Sequence, residues 1–241
     1  MSNINSVIEE NCARLRKSYY TGRTIIMGLS PSADKVIQLY WTVGRSKNSK
    51  NRCLIRESGE VRTYPITEDK NMKFPELLIY NISQTYKNKY IITNGTQTDD
   101  ICKCFEDNRS FEEAINEMLF EHDDPIYTPR ISGVVDLENN ATTLNFGIVR
   151  TSNRNPEMII RQTSSLKKTI PGVGYCIHTY NFDDQCMPFE GEPYPVKLFD
   201  NIDELIGYYW NLIPTDKRVG LYCRFIDLKN GDIEDRVVNE R

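Results

Sequence analysis

The residues equipped for chemistry lie in short polar clusters at the ends of apolar runs. Residues 43–52, VGRSKNSKNR, put Arg45, Lys47, Lys50 and Arg52 into a stretch of glycine, serine and asparagine. Guanidinium and ammonium groups on such a loop suit a phosphate, whose oxygens accept charge-assisted hydrogen bonds; a solvated basic loop is the plain alternative. Residues 94–99, NGTQTD, follow the apolar KYIIT, and Asn-Gly there signals a tight turn. What comes next is helical in pattern, however, and a strand that runs through small polar residues into a helix can offer N–H groups and hydroxyls to an anion. Asp99 is the expected cap of that helix.

Further clusters are YTGR at residues 20–23, Tyr80 with Asn81, EHDDPIYTPRISG at 121–133 and HTYNFDDQCMPFEGEP at 178–193. Together they supply phenols, carboxylates, amides and guanidiniums, the groups of acid–base and oxyanion chemistry. A metal centre is not expected. The seven cysteines are scattered without paired spacing, only His122 and His178 join them, and Cys102 and Cys104 point to different faces of a helix. Free thiols and no cofactor are the reading.

These clusters need a rigid frame, and the apolar pattern provides one. Alternating or β-branched runs predict strands at 23–29, 35–43, 76–83, 89–93, 130–137, 142–150, 172–181 and 219–228. Ser110 with Glu113 predicts one helix start and Asn201 with Glu204 another, the second stopped by Pro214. Leu205, Tyr208, Tyr209 and Leu212 recur at helical spacing and read as core. Turns at 138–142 and 229–232 join neighbouring strands, so antiparallel pairing should dominate. The class is α+β, with stacked sheets and helices outside.

The 241 residues are 39% hydrophobic and 27% charged with net charge -4, which supports one buried core and argues against a general nucleic-acid surface. No apolar run reaches the ~18 residues that span a bilayer, and the polar N-terminus lacks a signal-like apolar region, so a cytoplasmic protein without a membrane partner is expected. A single domain over residues 1–241 is read, with residues 1–19 as an N-terminal extension and a homo-oligomer as the assembly.

Taken in order, GR, GRSxxSxNR, YN, TNGTQTD, YTPRISG and FEGEP resemble the archaeal-type IMP cyclohydrolases and their bacterial relatives, over residues 20–228. Any one block is weak, but their joint order is specific because chance matches multiply. The resemblance implies a four-layer αββα sandwich of stacked antiparallel sheets, like that of the N-terminal-nucleophile hydrolases, used without a self-processed terminus. It implies closure of 5-formamidoimidazole-4-carboxamide ribonucleotide (FAICAR) to IMP with loss of water, an intramolecular reaction of purine biosynthesis. Tyr80, Glu121 and Arg45 are then the catalytic candidates. Substrate contacts fall to Arg23, Ser46, Asn51, Arg52, Asn81, Asn94, Gly95, Thr96, Thr98, Asp124, Arg130, Tyr180 and Glu192. Two other functions fit the same residues: a non-catalytic purine-nucleotide-binding relative, and an amidohydrolase of the same fold acting on another small amide.

Overall fold

The computed structural model describes residues 3–67, 79–138, 141–182 and 185–240, and in it two antiparallel sheets carry the chain. The first sheet contains β1 (Arg23–Leu29), β2 (Lys35–Val43), β10 (Val173–His178), β11 (Tyr194–Lys197), β12 (Arg218–Asp227) and β13 (Ile233–Asn239), in the order β11-β10-β1-β2-β12-β13. The second runs from β3 (Cys53–Glu57) to β9 (Asn155–Leu166) in chain order. Between them lie β4 (Glu60–Tyr64), β5 (Asn81–Tyr86), β6 (Lys89–Thr93), β7 (Arg130–Asp136) and β8 (Thr143–Ser152). Helices α1 (Ile4–Lys17) and α5 (Ile202–Leu212) contact the first sheet, whereas α3 (Gln97–Glu106) and α4 (Phe111–Glu117) contact the second. One turn of helix, α2 (Lys47–Lys50), sits in the basic loop.

Burial explains the strand patterns. β2 reads KVIQLYWTV, nearly continuous rather than alternating, because it is covered on both faces. Its neighbour β1 is packed against the second sheet at Gly133 of β7, where an added Cβ would stand 2.9 Å from Met27 Cε and 3.1 Å from Ile25 Cγ2. Gly147 of β8 does the same on the opposite face, with Ile115 Cδ1 of α4 2.5 Å from an added Cβ. The second sheet is therefore sandwiched between β1 and α4. One apolar cluster fills the space between the sheets and under α1 and α5; a smaller one, with Ile101, Phe105, Phe111 and Ile115, lies under α3 and α4. Each such side chain contributes about 1.5–3 kcal/mol on burial.

A polar clasp also joins the layers. Arg224 donates through Nε to Gln38 Oε1 at 2.6 Å and through Nη2 to the Ile91 carbonyl at 2.9 Å, while Gln38 Nε2 donates to the Tyr90 carbonyl at 3.0 Å.

The N-terminal stretch read as an extension is α1, packed into the main core. Asn3 caps it, Ile8, Cys12 and Leu15 form its buried stripe, and the Arg14 guanidinium lies 4.1 Å from the centre of the Phe182 ring. Strands β3, β4, β9, β11 and β13 were not anticipated. β9 is largely exposed and polar, as is β13, so neither shows the apolar signal of a covered strand. The strand read at 76–83 runs instead from Asn81 to Tyr86, and residues 76–78 lie outside those described. The turn expected at 138–142 likewise includes residues 139 and 140, outside those described.

Pairing brings the polar strand ends together. Arg23 lies opposite Thr42, Arg218 opposite Val43, and Thr93 opposite Ser132, so the starts of β1, β12 and β7 share an edge with the ends of β2 and β6.

Candidate functional site

Gly22 precedes Arg23 with φ of +75°, and a Cβ there would strike Thr179 Oγ1 at 2.5 Å and the Tyr180 ring at 2.7 Å. Only glycine lets the chain enter β1 this close to residues 179 and 180. The next residue uses that proximity: Arg23 N donates to Thr179 Oγ1 at 2.6 Å, and Arg23 Nη2 donates to Glu121 Oε1 at 2.6 Å. Both side chains of this ion pair are buried. The loop between α4 and β7 is shaped to present Glu121. Its N–H donates to the Thr128 carbonyl at 2.9 Å, Asp123 accepts from Thr128 N at 2.6 Å and Oγ1 at 2.5 Å, and Thr128 Oγ1 meets Tyr180 Oη at 2.6 Å. Tyr180 in turn stacks on Tyr20 with ring centres 5.7 Å apart.

Around the ion pair stand further buried polar atoms. Tyr40 Oη and Tyr80 Oη are buried against each other, and Arg23 Nε and Arg52 Nη1 are buried with no hydrogen-bond partner among the described residues. An unsatisfied buried group costs about 1–3 kcal/mol; atoms of this kind also occur elsewhere in the fold, and here they gain meaning from the buried ion pair they surround.

The charges follow from burial. Glu121 is pushed above the usual carboxylate range by burial, against the opposing pull of Arg23 and Arg130. Arg23 is held firmly charged: burial opposes the charge, but Glu121 and then the Tyr80, Tyr180 and Tyr40 hydroxyls favour it. The two partners pull in different directions, since Arg23 gains from an ionised Glu121 that burial disfavours. Arg23 is the permanent cation of the pair, because a guanidinium does not deprotonate in a protein. Burial raises the Tyr40 and Tyr20 hydroxyls too, with Arg23 and Arg52 opposing.

The NGTQTD segment is mostly structural. Asn94, fully buried, donates to the Pro129 carbonyl at 2.9 Å and accepts from Ile131 N at 2.8 Å and Gln97 Nε2 at 2.8 Å, which locks β6 to β7. Thr98 donates to the Asn81 carbonyl at 2.6 Å. Gly95 clears space, because a Cβ there would lie 2.5 Å from Arg130 Nη1, which itself donates to Gln97 Oε1 at 2.5 Å. Thr96 is the N-cap of α3 and makes no side-chain capping bond. Asp99 was expected to cap; it sits in the first turn instead and accepts from Asn81 Nδ2 at 2.8 Å. The tight turn places the helix start three residues earlier than the aspartate suggested.

The basic loop divides. Ser46 and Ser49 form a reciprocal capping box for α2, and Asn51 exchanges hydrogen bonds with Thr67. Arg45 is exposed, its guanidinium 5.4 Å from the centre of the Tyr20 ring. Arg52 is buried and donates through Nε to the Ser49 carbonyl at 3.0 Å. Asp124 is exposed and accepts from Tyr127 Oη at 2.7 Å, and Glu192 is exposed.

The structure thus gathers Arg23, Arg52, Tyr80, Glu121 and Tyr180, with Arg45 and Arg130 at the margin. It gives Ser46, Asn51, Asn81, Asn94, Thr98 and Asp124 bonds within the fold. Tyr20, Tyr40 and Thr128 belong to the cluster and were not singled out. Tyr20 and Thr128 stand inside the YTGR and YTPR blocks, which was the available signal; Tyr40, amid an apolar strand, reads as core. Two clefts adjoin the cluster. One of about 590 Å³ lies between α3 and α4 and reaches Arg130 and Gln97; another of about 320 Å³ reaches Arg52. The larger touches the cluster only through Arg130, so size alone does not place the chemistry there. Among the described residues no three His, Cys, Asp or Glu side chains are grouped to hold a metal.

A buried guanidinium paired with a carboxylate, beside buried phenols at one end of two stacked sheets, suits the binding of a small anionic molecule. The chain belongs to the IMP cyclohydrolase-like protein family, whose model matches residues 20–231. No curated protein matches it significantly.

Proposed function

We propose that this chain is an IMP cyclohydrolase, closing FAICAR to IMP with loss of water. The observation that carries the reading is the buried Arg23–Glu121 pair, 2.6 Å apart, beside the adjacent buried hydroxyls of Tyr40 and Tyr80. In the reaction a carboxamide nitrogen attacks the formyl carbon on the same imidazole ring. Attacker and target are already joined, so the protein's task is to hold them in a near-attack geometry. The formyl oxygen gains negative charge as the C–N bond forms, and Arg23 with Tyr80 provides a fixed cation and an O–H donor for it. Glu121, its pKa raised by burial, accepts the proton that the attacking nitrogen loses. Glu121 returns that proton to the formyl-derived oxygen to give the carbinol; the former formamide N–H then supplies the second proton as the C–O bond breaks, so that water leaves and the C=N bond of IMP forms. This sequence requires no cofactor.

The four layers of helix, sheet, sheet and helix support an arrangement like that of the N-terminal-nucleophile hydrolases. The reading makes the chain a single-domain cytoplasmic hydrolase of purine biosynthesis and a homo-oligomer, with a nucleotide substrate and no nucleic-acid or membrane partner. No helix among the described residues is long and apolar enough to cross a membrane.

Purified protein mixed with FAICAR, monitored by absorbance with the product identified chromatographically, should form IMP at the same rate with and without a chelator. Binding of IMP without turnover of FAICAR would instead mark a non-catalytic nucleotide-binding relative, and turnover of phosphate-free amides would mark an amidohydrolase.

A further inference from the structure

The two clefts beside the cluster differ in the state of their cations. In the larger, Arg109 is engaged by Glu113 and Glu117 and Arg130 by Gln97, and the remaining cation, Lys103, stands with Asp100 and Asp107. A dianion gains little there. The smaller cleft, about 320 Å³, is lined by Lys50, Arg52, Thr215 and Arg218, with Asp216 and Glu240 also on its walls. Asp216 already accepts from Lys217 Nζ at 3.1 Å.

The backbone explains why these cations meet. Val43 pairs with Arg218, and Gly44 N donates to the Lys217 carbonyl at 2.9 Å, which draws the basic loop against the 3-10 turn Thr215–Lys217. Gly44 permits the approach, since a Cβ there would stand 2.7 Å from Lys50 Cγ and 2.9 Å from Lys50 N. Both arginines are held before any ligand arrives. Arg52, 6% exposed, is fixed by the Ser49 carbonyl at 3.0 Å and keeps Nη1 without a partner among the described residues. Arg218 donates through Nε to the Ile213 carbonyl at 3.2 Å and lies 5.1 Å from the Trp210 ring centre. Orienting the guanidiniums in advance reduces the entropy lost when an anion binds. Arg52 also acts on Tyr20 and Tyr40, so it links this cleft to the Arg23 cluster.

We infer that this cleft is the subsite for the 5′-phosphate of the nucleotide, with Arg52, Arg218 and Lys50 as its ligands and the base directed toward Arg23 and Tyr80. The assignment rests on the cyclohydrolase reading and extends it to Arg218 and the segment before β12, outside every polar cluster the sequence singled out.

Calorimetric titration with IMP and with inosine separates the phosphate from the rest of the ligand. The wild-type chain should bind IMP more tightly than inosine. Arg218→Met and Lys50→Met should each weaken IMP binding by about tenfold, the effect of one charge-assisted contact, and leave inosine binding unchanged. Lys103→Met, in the larger cleft, should alter neither. Unchanged IMP affinity in both cleft variants, or a loss specific to IMP in Lys103→Met, overturns the assignment while the functional reading stands. Equal affinity of the wild type for IMP and inosine also overturns it. A wild-type chain that binds neither compound overturns the functional reading, and this assignment with it. Lys50 is half-buried at the end of the single-turn helix α2, so its variant carries the test even if Arg218→Met fails to fold.

Discussion

Arg23 and Glu121, 98 residues apart in the chain, meet at 2.6 Å where the start of β1 faces the loop before β7. This contact ties the first sheet to the second at the end where the free phenols gather. Removing one partner strands the other charge in the interior. Arg23→Met should therefore cost about 3–5 kcal/mol of stability, with part recovered in the double variant Arg23→Met, Glu121→Leu. Urea unfolding measures both; a single variant within about 1 kcal/mol of wild type would show the pair to be solvated.

Tyr80→Phe removes a buried hydroxyl that lies against the Tyr40 hydroxyl beside Arg23. Turnover of FAICAR should fall by about 10²–10³ with little change in KM, the pattern of a group that acts only in the transition state. A variant with the wild-type rate would take Tyr80 out of the mechanism.

Gly95→Ala places a methyl group 2.5 Å from Arg130 Nη1 and 2.6 Å from Gln97 Oε1. Both obstacles are ends of side chains, so the chain should fold with a Tm close to wild type while the Arg130–Gln97 hydrogen bond breaks. Steady-state kinetics should then show a raised KM or lowered kcat. Unchanged kinetics would place Arg130 outside the site.

His178 lies outside the cluster but shapes its acid stability. The ring is fully buried between Phe182, Phe189 and Tyr194, and Nδ1 donates to the Tyr180 carbonyl at 2.5 Å. Burial lowers its pKa from 6.5 to about 3. The unfolded chain thus takes up a proton near the ordinary histidine pKa that the folded chain refuses. Stability is lost as pH falls from about 6.5 toward 3, by up to about 1.4 kcal/mol for each pH unit. His178→Phe should flatten that part of the profile in urea unfolding at stepped pH; an identical slope would show that the ring is protonated in the folded state.

How far these features could be read in advance depended on the covering of each residue. Strands β1, β2 and β6 emerged with their observed limits because their apolar runs are buried and end in charged or polar residues. The Ser110–Glu113 box marked α4 because capping is local chemistry. β9 escaped notice because its side chains face solvent and carry no apolar rhythm. Of the clustered residues, Arg23, Tyr80 and Glu121 lie in blocks that the sequence marks, and the fold brings them together. The division of labour in NGTQTD was not, because whether Asn94 faces a ligand or clamps Pro129 to Ile131 depends on β7, 35 residues further on. Tyr40 shows the same limit: a buried phenol in an apolar strand looks like core until its hydroxyl is found beside Tyr80 and Arg23.

The most direct test of the central claim compares wild type with Glu121→Gln, an isosteric change that keeps a hydrogen-bond acceptor for Arg23 and removes the proton-accepting carboxylate. Both proteins are incubated with FAICAR, and the initial rate of IMP formation is followed under conditions where both remain folded. The account expects steady IMP production by the wild type and a fall of about 10²–10⁴ in the variant. No IMP from the wild type, or an equal rate from Glu121→Gln, would contradict it.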